Sequence, residues 1–235
     1  MQLQLERLLI STPADLVFMD CDGVIYDTNR LKCDAYRHAL EEYPKALVED
    51  LVSHHRATGG VSRYLKIERF FYEMHPLPDA SGRMRRALDR FASFCERGYE
   101  RMRPRPEALA FAELMGGSSR VHVVSGSDEA ELRRVFDAAD LRHRFSEVHG
   151  SPVGKKTHLA RIAAEAGVAL DRCLFVGDGW GDWDTATTLD VPFIFLSEMT
   201  EWDEGKATVA RATDVEPIAE ATSWDELLHA VRRTR

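Results

Sequence analysis

Four short apolar runs bounded by turn residues punctuate the chain: ADLVFMD (14–20), RVHVVSG (120–126), RCLFVGD (172–178) and VPFIFLS (191–197). Each has the length of a strand, and the stretches between the later ones carry apolar residues three and four apart, which is the helical period. EAELRRVFDAADL (129–141) and THLARIAAEAG (157–167) are the clearest, and the second runs into Gly167, a helix stop. Strands alternating with helices predict an α/β fold, a doubly wound parallel sheet covered on both faces. The interval 28–103 breaks the alternation: NRLKCDAYRHALEEY, SRYLKIERFFYEMH and GRMRRALDRFASFCERGYERM are all helical in pattern, with no convincing strand between them. The expected organisation is a core of residues 1–27 and 104–235 with a mostly helical cap, 28–103, inserted after the first strand. RPRPEALAFAEL (103–114) marks the return to the core, since its prolines disfavour helix just before them. Beyond Thr200 the chain reads as polar and irregular until SWDELLHAVRR (223–233), where Ser223 and Glu226 form a capping box for a closing helix.

Composition adds exclusions. A net charge of −8 over 235 residues offers no electrostatic footprint for nucleic acid or an anionic membrane, so any phosphorylated substrate must be attracted locally. No segment reaches the ~18 consecutive apolar residues of a membrane span, and the first residues lack a signal-peptide pattern, so a cytoplasmic location is expected. Cys21, Cys33, Cys95 and Cys173 lack C-x-x-C spacing and read as reduced, buried thiols.

Three of the strands end in side chains that carry chemistry: Asp20 and Asp22 after the first, Ser125 after the second, Asp178 and Asp182 after the third. Ligands bind at the carboxyl edge of an open parallel sheet, where these groups converge if the strands are neighbours. Clustered carboxylates repel one another unless a cation neutralises them, and a few hard oxygen ligands with room for water suit Mg²⁺ better than zinc. With the charge balanced, one of the first-strand carboxylates is free to attack phosphorus and form an aspartyl-phosphate.

DCDGVIYDT, VVSGSD, the lysine of GSPVGKK and VGDGWGDWDTA, in that order, resemble the four motifs of the haloacid dehalogenase superfamily. The resemblance implies that Asp20 is the nucleophile and Asp22 the acid that protonates the leaving oxygen and later activates water. Gly23 would let the backbone turn past the phosphate, and Ser125, with the amides of Gly126 and Ser127, would bind the phosphoryl group at a helix start. The motif spacing points to Lys155 as the charge-balancing lysine, with Lys156 the other candidate. Asp178 would complete a Mg²⁺ shell with Asp20 and Asp22, and Asp182 would sit just outside it.

The superfamily hosts several reactions, so the rest of the site must choose among them. Asp22 argues for phosphoryl transfer, because an alkoxide leaving group needs a proton and a halide does not. Phosphonate cleavage would need a cap lysine, for which Lys66 is the candidate. In the cap, ATGGVSRYLK (57–66) reads as a glycine-flexed loop with Ser62 as helix N-cap and Arg63 on the first turn. GVSR is similar to a substrate-recognition loop of sugar phosphomutases, but the acidic residues that follow the arginine there are missing. The expectation is therefore a Mg²⁺-dependent phosphatase acting on a small phosphorylated metabolite, as a monomer or homodimer, with a sugar phosphomutase as the alternative. A silent binding protein on this fold would be expected to have lost the nucleophile or the acid, and both are present. His54 and His55, adjacent in sequence, read as structural or surface residues, because neighbours on a helix seldom face one site.

Overall fold

A computed structural model of the chain describes residues 2–213 and 217–234. In chain order it consists of α1 (Gln2–Ser11), β1 (Leu16–Met19), α2 (Asn29–Ala39), α3 (Lys45–Ala57), α4 (Arg63–Arg69), α5 (Ala80–Tyr99) and α6 (Pro106–Leu114). There follow β2 (Val121–Asp128), α7 (Glu129–Ala138), β3 (Val148–Ser151), α8 (Lys155–Ala166), β4 (Cys173–Gly177), α9 (Trp180–Leu189), β5 (Phe193–Leu196), α10 (Gly205–Ala212), β6 (Ile218–Ala221) and α11 (Trp224–Thr234).

The strands form one parallel sheet in the order β3-β2-β1-β4-β5-β6. Alternation along β1 divides the core: Val17 and Met19 face one apolar layer, Leu16 and Phe18 the other. The first layer lies beneath α1, α6 and α11; the second holds Leu159 and Ile162 of α8 and Val209 of α10. Two strands, β3 and β6, extend the four read from the sequence. Each has four residues (VHGS and IAEA), and Gly, Ser and Glu within them conceal the apolar signal. The region after Thr200, read as irregular, carries α10 and β6. The expected stops are in place: Gly167 ends α8 in the left-handed region at φ 67°, and Ser223 Oγ accepts from Glu226 N at the start of α11. The reciprocal bond of that capping box shifts by one residue, Glu226 Oε2 accepting from Thr222 N rather than from Ser223.

Between β1 and α6 every regular element is helical, and α4 runs directly into a π-turn at Phe70–Met74. This helical block shares the first apolar layer: Tyr36, Leu51, Phe70 and Phe91 are buried in the same cluster as Val17 and Val121. The four cysteines are buried and unpaired. Among the described residues no helix is long and apolar enough to cross a membrane.

Candidate active site

β1 sits at the centre of the sheet with β2 and β4 on either side, so the three strands that carry chemistry are adjacent. Their registers align Met19 with Val123 and Val176, and Asp20 N donates to Val176 O at 2.9 Å. Asp20 therefore emerges beside Asp178, which follows β4, and Ser125 near the end of β2. The turn after Asp20 is tight: Gly23 sits at φ 78°, and a Cβ there would run into the Asp178 carboxylate. Only glycine satisfies both constraints.

Asp20 is 2% exposed. Lys155, on the first turn of α8, places its Nζ 2.8 Å from Asp20 Oδ1 and also donates to Asp182 Oδ1. Lys155 thus bridges the two carboxylates as a buried ion pair to each. Asp182 also caps the start of α9 through Gly179 N, and Asn29 of α2 donates to Asp178 Oδ2 at 2.7 Å. Burial, with repulsion from Asp182, pushes Asp20 up to about 7 against the pull of Lys155. Burial, with Asp20 and Asp182 nearby, raises Asp178 well above the carboxylate range. Lys156 points away and pairs with Asp184 at 2.9 Å near the surface.

The carboxylates that converge are Asp20, Asp178 and Asp182, each offering an oxygen within 4.8 Å of the others. The side chain of Asp22, read from the sequence as a ligand beside Asp20 and Asp178, lies outside this trio. It accepts from Thr28 Oγ1 at 2.5 Å, Tyr99 OH at 2.6 Å and Ser127 Oγ at 2.6 Å, and lies 3.4 Å from Lys32 Nζ. Although burial opposes it, the Lys32 charge with these donors holds Asp22 well below the usual carboxylate range. The cluster itself has the composition of a hard-cation site: buried oxygens only, on carboxylates whose mutual repulsion a divalent ion would relieve.

Ser125, Gly126 and Ser127 line the same cavity as Asp20, Asp22 and Asp178. The helical block closes it. Gly59 O accepts from Gly181 N at 2.7 Å, and a Cβ on Gly181 would sit 2.9 Å from that oxygen, so the close approach of loop to core requires glycine there. Arg63 begins α4 as read, with Ser62 Oγ accepting from Tyr64 N. Its guanidinium is buried over the Phe91 ring and donates from Nη2 to Glu131 of α7 at 2.8 Å, while Nη1 has no acceptor.

Sequence reading misses Lys32, Tyr99, Glu131 and His55 as members of this site. Lys32 and Tyr99 resemble ordinary polar residues of amphipathic helices, and nothing in their local pattern marks them. His55 lines the cavity with its ring against Tyr36, at 4.9 Å between centroids, while His54 meets Arg69 outside.

A family model for haloacid dehalogenase-like hydrolases matches residues 14–188. No curated protein matches the chain in sequence. Solved structures share the fold at low identity. A hydrolase from Pseudomonas syringae has a TM-score of 0.72 at 18% identity, over 93% of this chain and 98% of that one. A predicted phosphoglycolate phosphatase from Haemophilus somnus has a TM-score of 0.69 at 14% identity, over 93% and 98%. A β-phosphoglucomutase, so described, from Thermotoga maritima has a TM-score of 0.61 at 16% identity, over 93% and 99%. With the family model spanning most of the chain and the sheet, the motif residues and the closing helices arranged in one cavity, the chain belongs to the haloacid dehalogenase-like hydrolases.

Proposed function

We propose that this hydrolase is a Mg²⁺-dependent phosphatase that cleaves a small phosphate monoester through an aspartyl-phosphate on Asp20. The observation that supports it most is the position of Asp20: buried at the centre of the sheet edge, with the Lys155 ammonium 2.8 Å from its carboxylate and Asp178 and Asp182 converging on it. Asp20 and Asp178 would hold the cation, with Asp182 behind them. Mg²⁺ bound there would neutralise the carboxylates and draw charge from the phosphoryl oxygens.

Asp20 then forms a bond to phosphorus as the ester P–O bond breaks, and Ser125 with the amides of Gly126 and Ser127 binds the phosphoryl oxygens. The leaving alkoxide needs a proton, which Asp22 delivers; in the second step Asp22 removes a proton from the water that attacks phosphorus and frees Asp20. The hydrogen bonds to Asp22 favour its ionised form, the state between the two steps that accepts the proton from water; the proton it gives to the leaving alkoxide must be taken up as the negatively charged phosphate enters beside it. Lys155 balances the negative charge on Asp20 throughout, and Asp182 holds Lys155 in place.

The buried, unpaired cysteines and the acidic surface fit a cytoplasmic protein, monomeric or homodimeric, whose partner is a phosphorylated metabolite rather than nucleic acid or a membrane. A sugar phosphomutase would use the same aspartyl-phosphate, and the orphaned Nη1 of Arg63 is the feature that favours it, as a grip for a second phosphate. Phosphate release from a panel of phosphomonoesters tests the reading. Turnover with Mg²⁺ that EDTA abolishes reversibly is expected; turnover in metal-free buffer, or isomerised sugar phosphate in place of free phosphate, would contradict it.

A further inference from the structure

The first residue of α2 directs its side chain away from its own helix. Asn29 Nδ2 donates to Asp178 Oδ2 at 2.7 Å and to the main-chain carbonyl of Met199 at 2.8 Å, partners 149 and 170 residues away in sequence. The bland account is that an asparagine at a helix start serves as a cap. Here Thr28 holds the capping position, and both hydrogens of the Asn29 amide go to acceptors outside α2.

Chemistry fixes the orientation of that amide. A main-chain carbonyl can only accept, so the nitrogen must face Met199, and its second hydrogen is the one that reaches Asp178. The fit is close, because a Cβ added to Gly23 would collide with the Asp178 carboxylate and lie 2.7 Å from Asn29 Nδ2. Asp178 is thus held between the turn after β1 and the start of α2. Met199 lies in the loop 197–204 that joins β5 to α10, and this loop meets the helical block twice more. Cys33 Sγ donates to Glu201 Oε2 at 3.1 Å, and Arg56 Nε lies 3.8 Å from Glu201 Oε1. Glu201 and Trp202 of the same loop line the cavity that holds Asp20 and Asp178.

We infer that Asn29 is a positioning residue for the cation site: it fixes the Asp178 carboxylate and, through the same amide, anchors the loop that walls the cavity. A cation at the carboxylates and a seated loop then stabilise one another. The physical basis is twofold. A partner behind a metal ligand fixes the orientation of that ligand, and two equilibria that share one contact must strengthen each other by the same factor. Asn29 acts through Asp178 and Met199 rather than on the reacting atoms. The inference rests on the proposed Mg²⁺ site and is independent of which phosphoryl-transfer reaction the site performs.

Calorimetry of Mg²⁺ binding to the full chain without substrate tests it, with hydrogen exchange reporting on residues 198–203. In the wild type Mg²⁺ should bind and should slow exchange across that loop. Asn29→Leu, which keeps the size of the side chain and removes its donors, should weaken Mg²⁺ binding by roughly tenfold or more and abolish the slowing. Asn29→Gln, which keeps the amide, should recover part of both, and Asn29→Ala gives the same comparison as Asn29→Leu should the leucine not fit. Melting temperatures taken without Mg²⁺ separate a lost contact from a lost fold: a variant that melts near the wild type yet binds Mg²⁺ weakly is the expected result. Unchanged Mg²⁺ affinity in the folded donor-free variants, or a wild-type loop whose exchange ignores bound Mg²⁺, would overturn the inference while leaving the Mg²⁺ site intact. If the wild type binds no Mg²⁺ and Asp178→Asn behaves no differently, the metal site itself is wrong and the inference falls with it.

Discussion

Asp20 carries opposing demands: it must be buried to react away from water, and burial among acids penalises the charge it needs. Without a cation, Asp20 in the fold keeps a proton that the unfolded chain releases above 3.8, so its contribution to stability falls as pH rises from there through about 7. Added Mg²⁺ should therefore raise the melting temperature more at about pH 8, where the carboxylates are ionised, than at about pH 5, where protons compete for them. An equal rise at both would remove these carboxylates as the binding site. The two aspartates should also fail differently. Asp20→Asn should leave no turnover with any ester, whereas Asp22→Asn should be mildest for esters with good leaving groups, which need little protonation; a loss independent of leaving group would deny Asp22 its role. The sequence discloses these two residues because Asp-x-Asp after a strand is local. Tyr99 and Glu131 stay hidden because their partners Asp22 and Arg63 lie 77 and 68 residues away in sequence, and Lys32 because its contact with Ser127, 95 residues away, leaves no mark in its own neighbourhood.

At the scale of elements, the closing contact between loop and core is backbone on backbone, and its cheapest disruption is one methyl group. Gly181→Ala would press on Gly59 O and loosen the seat of the loop, so kcat/KM should fall by roughly tenfold or more if closure completes the site, with the melting temperature changed little. An unaltered kcat/KM would show that the contact has no part in catalysis. The buried Lys66 of α4 makes a second prediction. Its folded value lies near 7 and its ordinary value at 10.5, so the unfolded chain holds the extra proton across that interval and the destabilisation is complete at and below about pH 7. Lys66→Met should stabilise the protein most near neutral pH, with the gain shrinking toward about pH 10; a gain that grows with pH would contradict the assignment. The helices around it were legible from their apolar spacing. The strands β3 and β6 were not, because at four residues each their stability comes from pairing with β2 and β5 rather than from their own composition.

Across the whole molecule, the parallel sheet follows from strand and helix alternation, and its order decides the chemistry. Placing β1 between β2 and β4 gathers at one edge groups that lie up to 162 residues apart, from Asp20 to Asp182. The motifs indicated that these groups share a site; their spacing could not indicate that the Asp22 side chain turns toward Lys32 and Tyr99 while Asp182 joins Asp20 and Asp178. The central claim is that phosphorus becomes bonded to Asp20 during turnover. Acid-quenching the Mg²⁺-loaded enzyme in the steady state with a reactive phosphomonoester, followed by mass spectrometry of the peptide that contains Asp20, tests this directly. The account predicts one acid-stable, hydroxylamine-labile phosphoryl group on Asp20, absent from Asp20→Asn; phosphate released at full rate with that peptide unmodified, or the phosphoryl group on another residue, would contradict it.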